Sequence, residues 1–228
     1  MRILVITLFP EMFQGHFQSS MLLKAKLNGL VDFDLLCLRD FGLGPRHQVD
    51  DSPYGGGDGM LLRVEPISAA LKTAKARLKD AATILLTPKG EVWEQHLAES
   101  FANSQKDLIF FCPHYEGYDE RIVPLFDYYF SLGHFILTGG EIPALALIDS
   151  VVRLVPGVLG GPNSALIESF TNGDNLEYPQ YTRPATFAGQ SVPEILLSGN
   201  HAAIDAWRKQ HTPKKAYQHN KALPKCPA

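Results

Sequence analysis

The sequence predicts an α/β protein: a mostly parallel sheet with helices on both faces, followed by a small, mainly helical C-terminal domain. Three features carry that expectation. The candidate strands are unbroken apolar runs, as strands buried on both faces are. Segments of helical period separate them. A stretch rich in Gly, Pro, Asn and Ser, from Gly157 to Asp174, then interrupts the pattern.

The elements follow in chain order. Arg2–Phe9 is β-branched and aromatic-rich and ends at Pro10, which reads as a buried strand; Phe33–Leu38 is a second. Phe41–Met60 holds Gly42, Gly44, Gly55, Gly56, Gly57 and Gly59 and reads as a loop, of a length that compact domains usually reserve for function. Ile67, Ala70, Leu71, Ala74 and Leu78 give Glu65–Leu78 a helical stripe. Thr83–Leu86 is a strand expected to stop at Pro88-Lys89-Gly90, and Trp93, Leu97 and Phe101 predict a helix over Glu91–Phe101. Leu108–Cys112 is a strand closed by Pro113, and Phe135–Leu137 a short one opening onto Thr138-Gly139-Gly140. Glu141–Leu154 is a helix with Pro143 in its first turn, and helical character returns at His201–Lys209. The expected organisation is a domain over 1–160, a linker over 161–172 and a small domain over 173–228.

Composition narrows the class. The chain has 228 residues, 45% hydrophobic and 20% charged, with a formal net charge of −3, which excludes disordered and collagen-like chains. Cys37, Cys112 and Cys226 are odd in number and lack a C-x-x-C spacing, so neither a disulfide framework nor a zinc ribbon is supported. The longest apolar runs are too short to cross a bilayer, and no small-residue cleavage site follows Ile3–Phe9. A cytoplasmic protein without a membrane partner is expected. After Asp205, the basic residues Arg208, Lys209, Lys214, Lys215, Lys221 and Lys225 face no acidic residue. A basic tail on an acidic body is either a footprint for a polyanion such as RNA or a solvated terminus.

In an open parallel sheet, ligands bind beyond the carboxyl ends of the strands. Three loops leave such ends: Thr87-Pro88-Lys89-Gly90, Cys112-Pro113-His114-Tyr115-Glu116-Gly117, and Leu132 through Gly140. Their Gly and Pro backbone suits close contact with a flat heterocycle. No G-x-G-x-x-G follows the first strand, and Gly55-Gly56-Gly57-Asp58-Gly59-Met60 lacks the Lys-Ser/Thr pair of a P-loop. Dinucleotide oxidoreductases and P-loop NTPases are disfavoured accordingly.

Longer motifs add specificity. Asp50-Asp51-Ser52-Pro53-Tyr54-Gly55-Gly56-Gly57, Tyr115-Glu116-Gly117-Tyr118-Asp119-Glu120-Arg121 and Leu137-Thr138-Gly139-Gly140-Glu141-Ile142-Pro143-Ala144 occur in that order. Arg153 through Gly160, Pro179-Gln180-Tyr181-Thr182-Arg183-Pro184 and Leu197-Ser198-Gly199-Asn200-His201 follow. Together, from Leu8 to about Arg208, they resemble the bacterial tRNA (guanine-N1)-methyltransferase family, which modifies the guanine 3′ of the anticodon at tRNA position 37. The resemblance implies a SPOUT-class fold with a C-terminal trefoil knot in the 1–160 domain, something that periodicity cannot show and connection rules argue against assuming. It also implies an obligate homodimer with composite sites at the interface, a tRNA anticodon stem-loop as partner, and a tRNA-binding role for 173–228. S-adenosyl-L-methionine would be the methyl donor. A Mg2+ dependence is implied too, although no carboxylate cluster here specifies a metal site.

Guanine N1 carries a proton, so the reaction needs a base, donors for charge growing on O6, and a sulfonium methyl held in line. By resemblance the base is Glu168 in Glu168-Ser169-Phe170, one methylene longer than the family's Asp. Its alternative is a solvated linker glutamate. Arg153 matches the arginine that stabilises the guanine anion, or else complements a helix C-terminus. Glu116 matches a glutamate near donor and target, or else pairs with Arg121. The donor would be held by Leu86, Thr87, Pro88 and Gly90 in the first loop and by Pro113 and Tyr115 in the second. In the third it would be held by Leu132, Gly133, His134, Phe135, Ile136 and Leu137, then Gly139 and Gly140. Tyr115 and Leu137 would flank the adenine, or else belong to the core. Asp50, Tyr54, Gly59 and Ser164 match positions near the guanine and its neighbours. Arg183 is structural or phosphate-facing, and Trp207 and Arg208 are expected to pack the small domain.

Some positions depart from the family. Pro113 stands where the family has Gly, removing an N–H beside the donor. His134 replaces an Asp, removing a negative charge beside a cationic ligand. Lys89 replaces a Gln and Asp58 a Pro. These changes leave a non-catalytic or weakly active RNA-binding relative as the alternative reading.

Overall fold

The structure, a computed structural model, describes residues 1–160, 168–170 and 176–213. The chain divides into two compact units, 1–161 and 162–228.

The first unit opens with β1 (Arg2–Thr7), two short helices α1 (Glu11–Phe17) and α2 (Ser20–Leu27), and β2 (Asp32–Cys37). The short strands β3 (Asp50–Asp51) and β4 (Leu61–Leu62) pair antiparallel within the glycine-rich segment and lead into α3 (Val64–Arg77). Then come β5 (Ala82–Val92), α4 (Gln95–Ser104), β6 (Leu108–Phe111), β7 (Tyr128–Ser131) and α5 (Glu141–Val152). The main sheet has the order β2-β1-β6-β5-β7, and every pairing in it is parallel.

Alternation along the strands sorts the core into two layers. Ile3, Val5, Ile84, Leu86, Leu108 and Phe110 face α1, α2, α4 and α5, where Phe13, Leu22, Phe101 and Leu147 meet them. Leu4, Ile6, Leu85, Ile109 and Phe111 point the other way, onto Ile67, Ala70, Leu71 and Ala74 of α3 and onto Ile122 and Phe126. Strands covered on both faces need no polar side, which is why these runs read as solidly apolar.

Three element boundaries differ from the sequence expectation. β5 does not stop at Pro88. It runs on to Val92, and the register shifts between Leu86 and Glu91, so that Thr87–Gly90 bulge out of the ladder where Pro88 owes it no N–H. Glu91 and Val92 therefore stay in the sheet, opposite Phe130 and Ser131, and the helix expected from Glu91 begins at Gln95. Trp93 precedes that helix; its indole stacks on Phe101 and donates to Ser150 Oγ at 3.0 Å. Phe135–Leu137 is not a strand. The strand is Tyr128–Ser131, and Ser131 Oγ then turns the chain by bonding Gly133 O at 3.0 Å, leaving Phe135–Leu137 exposed.

Asp127 ties β7 to β5: its Oδ2 accepts from Thr83 N at 2.9 Å and Thr83 Oγ1 at 2.7 Å. Burial alone would raise this carboxyl, but the two Thr83 bonds, together with the charges of Lys75 and Lys106, hold it below the usual aspartate range.

The second unit carries a hairpin, β8 (Thr186–Phe187) with β9 (Gln190–Ser191), then α6 (Glu194–Leu197) and α7 (His201–Gln210). Asn200 caps α7, its Oδ1 accepting from Ala203 N at 3.2 Å. Trp207 stacks on His211 at 4.2 Å, and Arg208 lies over the Tyr178 ring at 4.8 Å. Among the described residues no helix is long and apolar enough to cross a membrane.

Phe111→Ala, which empties a fully buried site against Phe126, is expected to lower unfolding free energy by about 3–5 kcal/mol in urea denaturation. The Asp127 contribution is complete above the unfolded carboxyl value of about 4 and is lost as pH falls through the lower folded value. The stability gap between wild type and Asp127→Asn is therefore expected to shrink below about pH 4 in parallel denaturation series.

Candidate active site

β6 and β7 flank β5 in the sheet, so the loops that leave them converge above the bulge of β5. They meet directly. His114 and Gly139 form an antiparallel bridge, and Gly140 N donates to Pro113 O at 2.8 Å. A Cβ at Gly140 would stand 2.8 Å from Cys112 Cα and 2.9 Å from Pro113 Cδ, so only glycine allows this approach. The result is a cavity of about 420 Å³ at the carboxyl edge of the sheet.

Leu86, Thr87 and Pro88 line it from the β5 bulge, and Pro113, Tyr115 and Glu116 from the loop after β6. Leu132, Phe135, Ile136, Leu137, Gly139 and Gly140 close the remaining side. Gly90, Gly133 and His134 do not line it. Gly90 packs into the sheet, where a Cβ would lie 2.5 Å from Phe130 N, Gly133 turns against the Phe135 ring, and His134 points to solvent. Pro113 is buried in the wall with its carbonyl engaged, and the cavity stands open with both departures in place.

The motif Tyr115–Arg121 divides its work by position. Tyr118 Oη donates to Thr87 Oγ1 at 3.0 Å, pinning the second loop to the first. Arg121 pairs with Asp119 at 2.6 Å and holds that carboxyl below the usual range. The expected alternative partner of Glu116 is thus taken by a nearer acid two residues away. Glu120 pairs with Lys89 at 3.0 Å and raises that ammonium.

Glu116 itself meets the glycine-rich segment. Glu116 N donates to Met60 O at 3.1 Å, and Leu62 N donates to Gly117 O at 2.9 Å. A Cβ at Gly59 would overlap the Glu116 side chain. Gly59 therefore abuts the side chain of Glu116, which lines the cavity. Asp50 is half-buried opposite Leu62, whereas Tyr54 is fully exposed and does not line the cavity.

Arg153 is the C-cap of α5, half-buried, the position that its dipole alternative requires. Glu168 is half-buried in the second unit, and the next residue, Ser169, accepts from Glu177 N at 3.0 Å. Ser164, Cys226 and the basic positions Lys214, Lys215, Lys221 and Lys225 lie outside the described residues. Arg183 lines a separate hollow of the second unit with Tyr178, Tyr181, Trp207 and Arg208. Among the described residues no group of three or more His, Cys, Asp or Glu is placed to hold a metal ion.

Sequence reasoning missed Phe130, Ser131 and Tyr118 as lining residues, and His114 and Thr138 lay in the expected loops without being singled out. The aromatic run Tyr128-Tyr129-Phe130 was the available strand signal. His114 had none, because a lone histidine announces nothing about its neighbours.

A family model described as tRNA (Guanine-1)-methyltransferase TrmD matches residues 1–225. The chain belongs to this family. Among curated relatives, the tRNA (guanine-N(1)-)-methyltransferase of Carboxydothermus hydrogenoformans is 51% identical over 214 residues, covering 93% of this chain and 83% of its own. The enzyme of the same name from Dictyoglomus turgidum is 48% identical over 217 residues, covering 95% and 87%. The crystal structure of tRNA (m1G37) methyltransferase from Aquifex aeolicus superposes with a TM-score of 0.77 at 38% identity, covering 92% of this chain and 88% of that one. The α/β fold with its parallel sheet is that of this methyltransferase family.

Gly140→Ala is expected to force the two loops apart. It should lower the rate of methyl transfer from S-adenosylmethionine, measured with labelled donor, by roughly 10²-fold, the cost typical of a 1 Å misplacement.

Proposed function

We propose that this chain transfers a methyl group from S-adenosylmethionine to N1 of guanine at tRNA position 37, in the cytoplasm where tRNA is matured. The observation that carries the reading is the open cavity at the carboxyl edge of the sheet, with the Glu116 carboxylate at its rim. About 420 Å³ is within the range of small-molecule sites. Its walls are apolar side chains and glycine backbone, a chemistry that fits a flat adenine and a thioether chain. That the cavity is open with Pro113 in its wall and His134 turned to solvent favours the enzyme over a non-catalytic RNA-binding relative.

When bound, S-adenosylmethionine supplies an electrophilic sulfonium methyl. Leu86, Tyr115 and Leu137 hold its adenine, and the Gly139–Gly140 backbone lets it approach. The protein then acts on the guanine. Glu168 takes the N1 proton, Arg153 stabilises the charge that gathers on O6, and Glu116 orients the ring from the rim. The base is unstacked from the anticodon loop before its edge is reached. Asp50, Tyr54 and Gly59, on the segment anchored to Glu116, face the guanine and its neighbours.

The same reading includes a trefoil knot, supported by the direct contact of the loop entering α5 with the loop after β6. It includes a homodimer with composite sites, supported by the exposed Phe135 and Ile136, 55% and 79% accessible on the cavity wall. The 1–160 domain holds the methyl donor, the 161–172 linker carries the base Glu168, and 173–228 is the tRNA-binding part. The exposed Tyr181 and Arg183 of the second unit suit a nucleic acid.

The test is methyl incorporation from labelled donor into a transcript with guanine at position 37. Wild type should label it, a transcript with adenine there should not, and Glu168→Ala should lose about 10²–10⁴-fold in rate. Absence of incorporation above that variant would overturn the proposal.

A further inference from the structure

A pair of ionisable side chains, one in the cavity wall and one behind it, has no role in the reading above. Glu141 opens α5 with its side chain only 3% exposed. Its Oε1 accepts from Thr7 Oγ1, at the end of β1, at 2.9 Å. Its Oε2 faces His114 Nδ1 at 3.7 Å. That separation is too long for a hydrogen bond. The ring nitrogen is nonetheless buried, and it has no hydrogen-bond partner among the described residues. His114 lines the cavity, its ring set edge-on to Phe9 and to Tyr115.

A buried carboxylate with one open oxygen and a buried ring nitrogen with no acceptor each carry a desolvation cost. Both costs fall together when Nδ1 carries the proton and the gap shortens to a charge-assisted bond. The neighbours leave no competing partner. Thr7 is spent on Oε1 and Phe9 is apolar. Cys112, buried under the same loop, is held neutral because burial and the Glu141 charge push its thiol up. Tyr115 meets the pair through the edge of its ring.

The backbone couples this pair to the cavity. A Cβ at Gly139 would overlap Glu141 Oε2 and stand 2.5 Å from His114 Nδ1. Residue 139 therefore lies directly over the pair, and its bridge to His114 joins the two loops at the same point.

We propose that His114 is a positioning residue: its Nδ1–H donates to Glu141 Oε2, and closing the remaining gap draws the 112–117 and 132–140 loops together around the methyl donor. The inference rests on the S-adenosylmethionine reading and goes beyond it by assigning what sets the width of the crevice. His114 acts through the two loops and takes no part in the proton transfer.

The test joins two measurements on the full chain. Nitrogen-15 NMR of labelled histidine should show the His114 Nδ1–H tautomer. Its proton should move downfield on adding S-adenosylmethionine, and that movement should be lost in Glu141→Gln. Calorimetry should show S-adenosylmethionine binding weakened by about tenfold or more in His114→Phe and Glu141→Gln, as loss of a bond to a charged group requires. His114→Gln, whose amide can donate to the same oxygen, should recover to within about threefold. The Gln variants are close to native volume and keep the test usable if His114→Phe does not fold. A bare Nδ1, or a His114→Phe protein that binds the donor as wild type does, overturns the positioning role alone. A wild type that shows the Nδ1–H signal but binds no S-adenosylmethionine overturns the donor reading, and the loop-positioning role with it.

Discussion

The candidate site depends on one close approach, that of the Gly139–Gly140 backbone to Cys112–His114. β6 and β7 are not neighbours, because β5 lies between them. Loops from the two outer strands can meet only by crossing over the end of the middle one. The Gly140 N to Pro113 O bond and the His114–Gly139 bridge make that crossing, and the hollow they roof has the β5 bulge as its floor. The core holds the crossing in place. Phe110 and Leu86 pack one face of the sheet and Phe111 and Leu85 the other, so the strand ends from which the loops spring cannot slide.

The motif Tyr115–Arg121 shows how structural and chemical duties share one short segment. Tyr118, Asp119, Glu120 and Arg121 spend their polar atoms on Thr87, on each other and on Lys89. Glu116 is left to face the rim. An acid whose motif neighbours are all engaged elsewhere is free to meet a ligand, and the Gly59 backbone against its side chain restricts where it can point. The glycine-rich segment is therefore not an independent flap: β3 and β4 fasten it to Gly117 and to the start of α3, with Arg63 bridging Asp51 and Glu65.

Much of this was legible in the amino-acid order. Solid apolar runs gave away the parallel sheet, and helical spacing gave α3 and α5 to within a few residues. The three loops at the strand ends do bound the cavity. What failed to read was whatever depended on pairing across the sheet. The continuation of β5 past Pro88 is decided by Phe130 and Ser131, some forty residues on, and no local rule reports a partner at that distance. The strand at Tyr128–Ser131 was displaced in the reading by Phe135–Leu137, whose apolar character belongs to an exposed wall of the cavity. His114 and Glu141 were silent for a related reason: their chemistry comes from being buried together, and they are separated by a loop, a strand and a second loop.

The crossing at Gly139 and Gly140 also bears on how this gene can drift. Every single-nucleotide missense change in a glycine codon installs a residue bearing at least a Cβ. At Gly140 that atom meets Cys112 and Pro113, and at Gly139 it meets His114 and Glu141. The Gly140 codon is consequently closed to stepwise replacement, since the facing loop must be rebuilt first, whereas at Gly139 the obstacle is two side-chain ends, which a second substitution can clear.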